Sequence, residues 1–197
     1  NVTPLLASAG IAGIAIALAA KDTIANFFGG INLFMDKPFS RGDYIVLETG
    51  ERGEVVDIGV RSTLIRTRDD EQISVPNSIV ANTKIINESG GPHKKFRIRL
   101  KVGVAYGTDI DLVRKVLMGV AENNPDICHD PEPRVRFRNF GGSSLDFELL
   151  GWVDEPVLRG RVLDAMNCTV YKRFQEENIE IPYSKQDVYI KSMPKAP

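Results

Sequence analysis

The chain reads as a membrane α-helix followed by an α+β region in two parts, and three features of its 197 residues lead there. Residues 4–20, PLLASAGIAGIAIALAA, carry no charge, and after Lys21-Asp22 an apolar run resumes as TIANFFGGINLFM and ends at Met35. Residues 39–87 then break into short strand-like segments between turn signals. From residue 95 onward strand and helix patterns follow one another in the order βαββαβ.

The first run is unusual in side-chain volume. Ten of its seventeen residues are Ala, Gly or Ser, with Ile and Leu dotted between them. Such a segment gains little by burial in a water-soluble core, because Ala and Gly offer little apolar area. In lipid, small residues are what a close helix–helix interface uses. Gly10 and Gly13 each cost up to ~1 kcal/mol of helix propensity relative to Ala, a cost tolerated where another backbone must come near. As a helix the run spans roughly 26 Å at ~1.5 Å per residue, just short of the hydrocarbon thickness. A signal peptide fits poorly, since no basic leader precedes the run and apolar sequence follows it. A buried helix of a soluble α/β protein remains open on composition, and an ordinary lipid-facing span would be richer in Leu, Val and Phe. The preferred reading is a helix packed against copies of itself around a narrow axis.

A change of direction is expected near Lys21-Asp22 or at the pair Gly29-Gly30, since sharp kinks sit at Gly or Pro. Lys37-Pro38 ends the helix, because the residue before proline avoids the helical region. The chain begins at Asn1 inside apolar sequence without Met, so a longer protein with further spans upstream is expected.

Strands are predicted over 44–48, 53–60, 62–68, 72–75 and 83–87, with breaks at Thr49-Gly50, Asp69-Asp70 and Pro76-Asn77. Five strands in so short a stretch suggest a small bent barrel of the Sm-like or SH3-like kind, whose open edges lend themselves to ring formation. Gly90-Gly91-Pro92 reads as a linker. Beyond it come a strand (95–104), a helix (109–124) capped by Thr108, strands 133–140 and 144–153 joined through Gly141-Gly142, a helix (157–178) and a last strand (187–191). Ile110, Val113, Val116, Leu117 and Val120 recur at three and four residues and mark one buried helix face. The order is that of a ferredoxin-like α/β domain, which by itself implies no function.

Composition excludes several classes. With 25 basic and 26 acidic residues there is no nucleic-acid or acidic-partner signal. Cys128 and Cys168 lie far apart and in no metal-ligand spacing, so reduced thiols are expected. The sequons at Asn87 and Asn167 are of a kind that arises often by chance. Only His93 and His129 are present, no Ser/His/Asp set converges, and no glycine-rich phosphate loop occurs, so neither an enzyme nor a cofactor is expected. Cys128-His129-Asp130 lacks the second half of a metal site. Lys94, Lys95, Arg97, Arg99 and Lys101 read as the solvent face of a strand, or as charges that bias which ions approach.

The succession of the Gly/Ala helix, PFSRGDYI, GEVVDIGVRSTLIRT, ISVPNSIV and IPYSKQDVYIK resembles the small-conductance mechanosensitive channel (MscS) family, from about Leu5 to Met193. The resemblance implies four segments: a kinked pore-lining transmembrane helix with an amphipathic second half (1–37), an Sm-like β domain (38–90), a ferredoxin-like α/β domain (91–184), and a strand of a closing β-barrel with a tail (185–197). It also implies a homo-oligomer, a heptamer, in the cell (inner) membrane as a multi-pass protein. A large cytoplasmic C-terminal region would follow the pore. Membrane lipids, permeating ions and small osmolytes are then the partners, with no nucleic acid. The family's two constricting pore leucines fall on Ile14 and Leu18, and its small packing residues on Ala7, Gly10, Gly13, Ala15 and Ala17. Its amphipathic-helix Asn falls on Asn26 and its second hinge glycine on Gly30, beside Gly29. Asp22 replaces the first hinge glycine, and with Lys21 it would lie at the pore mouth. An Asp there is expected to cap the second half-helix. Ile11 stands where a small packing residue is expected.

The function implied is a channel that opens under membrane tension and releases ions and small osmolytes during hypoosmotic shock. The alternative is a soluble ring-forming Sm-like nucleic-acid-binding protein. It predicts a basic surface with stacking aromatics and leaves residues 1–35 without a role.

Overall fold

The computed structural model describes residues 2–189 and 191, with the side chains of residues 3–8 left out of the description. The chain folds as two compact units, one up to Lys94 and one from Lys95. An apolar helix is followed by two antiparallel-sheet regions, as the sequence predicts.

In the first unit, α1 (Thr3–Asp36) is one uninterrupted helix of 34 residues. Helical structure continues through Lys21-Asp22 and through Gly29-Gly30, so any change of direction there is made without ending the helix. A glycine lowers helix propensity without removing a hydrogen bond, so it permits a bend but does not impose one. Asp22 sits mid-helix and has no free amides to cap, which corrects the capping expectation. The stop is where Lys37-Pro38 places it. Lys37 turns left-handed (φ 45°) and its N–H closes on the Leu33 carbonyl at 3.1 Å.

The sheet of this unit comprises β1 (Tyr44–Leu47), β2 (Arg52–Ile58), β3 (Ser62–Thr67), β4 (Gln72–Pro76) and β5 (Ile85–Asn87). It runs in the order β4-β3-β2-β1-β5, every pair antiparallel, with a bulge in β2 between Val55 and Asp57. The sequence missed α2 (Asn77–Val80), a single helical turn inserted between β4 and β5. Leu33 of α1 joins Phe39, Ile45, Leu47, Val55, Ile65 and Val80 in one buried cluster, so the last turns of α1 belong to this core. Upstream the helix is unaccompanied: Ile11, Ile14, Ile16 and Leu18 are all exposed.

The second unit holds β6 (Phe96–Val104), α3 (Ile110–Glu122), β7 (Arg134–Phe140), β8 (Leu145–Val153), a 3-10 turn (Pro156–Leu158) and α4 (Arg159–Glu176). The strands lie in the order β6-β8-β7. One face of this sheet, with Ile98, Leu100, Phe147 and Leu149, is buried with Val113, Leu117, Val162, Met166 and Phe174 of the two helices. Asp109, not Thr108, caps α3, its carboxylate accepting from the Asp111 and Leu112 amides. Residues 187–189 and 191 form no strand within the chain, and Ile190 is outside the described residues. A strand exists only where it finds a partner. Just past β6, the Ala105 amide donates to the Glu180 carbonyl at 2.9 Å.

Candidate functional site

The residues singled out by sequence lie along α1, and the structure separates them into a free half and a seated half. Ile14 and Leu18, four residues apart, lie about 40° apart around the helix at about 100° per residue and so share one face. They are 64% and 69% exposed. A Cβ placed at Gly10 or Gly13 would meet nothing within 4 Å. Ala15 and Ala17 are likewise exposed, and the side chain of Ala7 lies outside the described residues. Lys21 and Asp22 are both exposed, and they flank the direction of Leu18 at about 60° on one side and 40° on the other. Among the described residues, α1 is the helix long and apolar enough to cross a membrane, over Ala9–Asp36.

The seat begins at Asn26, whose Oδ1 accepts the Ser78 amide of α2 at 3.0 Å. One turn on, Gly29 is buried and lies so near α2 that a Cβ there would sit 2.7 Å from the Asn77 carbonyl group. Gly30 approaches the Val60 carbonyl and the Asn77 side chain just as closely. Asn77, fully buried, holds this seat rigid: its Oδ1 accepts the Thr63 hydroxyl at 2.9 Å and its Nδ2 donates to the Gly59 carbonyl at 2.8 Å. Leu33 completes the anchor inside the β-sheet core. Sequence reasoning missed Asn77 and Ser78, the counterparts of Asn26 and the glycines. The one available signal is Pro76-Asn77 itself, which marks a break between strands and equally suits the start of a helix. Beside the seat, Phe27, Ile31, Phe34, Ile58 and Val60 line an open apolar hollow of about 430 Å³ with Lys37 and Arg41 among its lining.

A long apolar helix seated by its last turns on a small antiparallel β domain is the arrangement that decides the comparison with known proteins. Residues 22–90 match the family described as the mechanosensitive ion channel β-domain, and residues 98–181 match the C-terminal region of mechanosensitive ion channel MscS. The solved closed-state structure of Helicobacter pylori MscS superposes with a TM-score of 0.85 at 32% identity, covering 98% of this chain and 75% of that one. The chain belongs to the MscS family of mechanosensitive ion channels. Among its MscS relatives, the small-conductance mechanosensitive channel MscMJ of Methanocaldococcus jannaschii is 33% identical over 195 residues, 96% of this chain and 54% of that protein. The mechanosensitive channel MscK of Escherichia coli is 32% identical over 177 residues, 90% of this chain and 16% of that protein. The chain thus spans about half the length of MscMJ and a smaller share of MscK.

No group of three or more His, Cys, Asp or Glu able to hold a metal occurs among the described residues. In the Cys128-His129-Asp130 segment, Asp130 gives its backbone carbonyl to Lys95, while Cys128 turns its thiol to the Asp154 carboxylate at 3.2 Å. Burial, and then that carboxylate, push the Cys128 thiol above its usual range, away from the thiolate a metal would need.

Proposed function

We propose that this chain supplies the pore helix and cytoplasmic part of a mechanosensitive channel. It opens under bilayer tension and passes ions and small osmolytes, as in relief of hypoosmotic shock. The observation that carries the reading is α1 itself, a membrane-length helix seated at one end and unaccompanied over its small-residue half. Gly10 and Gly13 give up helix propensity and gain no intramolecular contact for it, which is what packing against another copy would require. Ala7, Ala15 and Ala17 belong to the same packing surface. The assembly is a homo-oligomer, a heptamer in the family's manner, in the cell (inner) membrane, with further spans upstream and the sheet-bearing units on the cytoplasmic side.

Copies of Ile14 and Leu18 around one axis form two stacked apolar rings that empty of water and block ions without a plug. Gly29-Gly30, the hinge the resemblance implies, lies within the seat that begins at Asn26, so tension on the membrane-embedded half turns the helix about the start of that seat. Lys21 and Asp22 line the cytoplasmic mouth. The soluble nucleic-acid-binding alternative is not supported: both family matches are to channels, and it would leave α1 without a role.

The test is patch recording of the full-length protein in spheroplasts that lack their own mechanosensitive channels. Suction should elicit discrete conductance steps, and their absence with the protein in the membrane would sink the channel reading. Leu18→Ser should wet the constriction and open at lower tension or leak at rest. An unchanged threshold with no leak would take Leu18 out of the gate.

A further inference from the structure

The sheet of the second unit has a second face, turned away from α3 and α4, whose composition the channel reading does not use. β6 contributes Arg97, Arg99 and Lys101 to it, and β7 contributes Arg134, Arg136 and Arg138, all exposed. Between these rows runs β8, with Asp146, Glu148, Leu150 and Trp152. Six cations therefore share one sheet face with two carboxylates, in a chain whose formal net charge is −1. Composition alone does not produce that segregation.

Both carboxylates are already engaged. Glu148 is 5% exposed and lies between Arg138, at 2.5 Å, and Arg99, at 3.7 Å. Asp146 accepts the Ser144 hydroxyl at 2.7 Å. Lys101 and Arg136 both stand across from Glu148 in the strand register, and Arg99 and Arg134 across from Leu150. Among the described residues, Lys101, Arg134 and Arg136 enter no ion pair. The two rows are roughly 10 Å apart, two strand spacings of ~4.8 Å, and neighbours within a row are roughly 7 Å apart.

This face carries two hollows. One, of about 570 Å³, is bounded by Arg99, Lys101 and Arg138, with Asp146 and Glu148 also in its lining. The other, of about 270 Å³, has Leu150 and Trp152 as its floor and Arg97, Arg134 and Arg136 around it, with exposed Glu132 at the rim. Arg97 lies over the Trp152 ring at 5.8 Å, so the floor is both apolar and electropositive.

We propose that this face is a binding site for a small polyphosphate anion, inorganic or nucleoside-borne. Arginine pairs bidentately with phosphate, and two cation rows one β-strand apart on either side suit several phosphates held in line better than a single one. Leu150 gives the anion a neutral floor, and Glu148 is covered by its two arginines. The carboxylate that keeps its charge, Asp146, is outnumbered by Lys101, Arg134 and Arg136, which enter no ion pair among the described residues. Two separate hollows with a single tryptophan are a poor track for a nucleic-acid strand, which needs a continuous groove and successive stacking platforms. The inference does not depend on the channel reading, because it concerns one sheet of one unit.

The test is calorimetric titration of the full-length protein in detergent with sodium tripolyphosphate, ATP and orthophosphate. Tripolyphosphate and ATP are expected to bind at one site per chain, and orthophosphate much more weakly. Raising the salt should weaken binding as screening increases. Arg99 and Arg138 hold a buried carboxylate, so the informative variant is the double Lys101→Gln/Arg136→Gln, which breaks no ion pair. It should weaken binding about tenfold or more. The double Arg114→Gln/Lys115→Gln removes the same charge from α3 and should leave affinity within about twofold. ATP binding more tightly than tripolyphosphate would add a base on the Trp152 floor, and equal affinities would assign the site to phosphate alone. The proposal is overturned if neither anion binds, if the α3 control weakens binding as much, or if a short oligonucleotide outcompetes tripolyphosphate. It is also overturned if Lys101→Gln/Arg136→Gln dissociates the oligomer on size exclusion, since the face would then be a subunit contact.

Discussion

A Cβ at Gly29 would lie 2.7 Å from the Asn77 carbonyl carbon and oxygen and 2.8 Å from the Ser78 nitrogen, all backbone atoms. No rotamer change relieves such a contact, so α1 and α2 must part. Helix propensity pulls the other way, since Gly→Ala in a helix interior gains up to ~1 kcal/mol. Overpacking against rigid backbone costs ~1–3 kcal/mol, and it should win. Gly29→Ala is therefore expected to destabilise the first unit by about 1–2 kcal/mol net, read as a lowered denaturant midpoint of the purified protein. If the variant is as stable as the parent or more so, propensity has prevailed and the close approach is not a constraint. The same reasoning separates these glycines from Gly10 and Gly13, whose Cβ positions are open within the chain.

The continuity of α1 changes what its charges can do. With no second helix N-terminus at Asp22, nothing turns that carboxylate toward backbone amides, and like Lys21 it is exposed. Lys21 and Asp22 point to either side of Leu18, and around an axis they would form rings of opposite sign that largely cancel. Removing one should unmask the other. Lys21→Gln is expected to move the single-channel reversal potential in a salt gradient toward cation preference, and Asp22→Asn toward anion preference, both more strongly at low salt. If neither substitution shifts it, the pair does not face the permeation path. Two shifts of the same sign would mean that one of them acts through structure instead of charge.

The two units hold separate cores, one around Ile45, Val55 and Ile65 and the other around Phe147, Leu149 and Met166, with no buried residue in common. Unfolding of such a chain need not be a single cooperative event. Phe147→Ala removes a ring that is 1% exposed and should cost about 3–5 kcal/mol in the second unit alone. Ile65→Ala, at a fully buried position, should cost about 2–5 kcal/mol in the first. Calorimetry of the detergent-solubilised protein is expected to resolve two transitions, each substitution lowering one of them. One transition that both substitutions lower equally would mean that the units unfold as a single body.

Much of this architecture is local in origin and so was legible in the residues. A helix that is apolar all round needs no partner to be recognised, and the left-handed turn at Lys37 before Pro38 ends it where the steric rule says. Strand boundaries in the β domain fell within about two residues of their turn signals, because Thr49-Gly50 and Asp69-Asp70 act through their own backbone. The resemblance supplied Asn26, but not its partner Ser78, nor Asn77 beneath the glycines. Those depend on which backbone arrives from as far as 52 residues away, and no periodicity records that. The preference for Asp109 over Thr108 as the cap of α3 turned on a side-chain geometry that sequence leaves equal. The close approach at Gly29-Gly30 has the same cause: a glycine allows both a bend and a near neighbour, and only the position of α2 shows that this pair has one. The basic face is the clearest case. Alternation along β6 and β7 told which residues share a side of each strand. Only the order β6-β8-β7 put the two rows on either side of Glu148, because strand neighbours are chosen by the packing of α3 and α4 over the whole sheet.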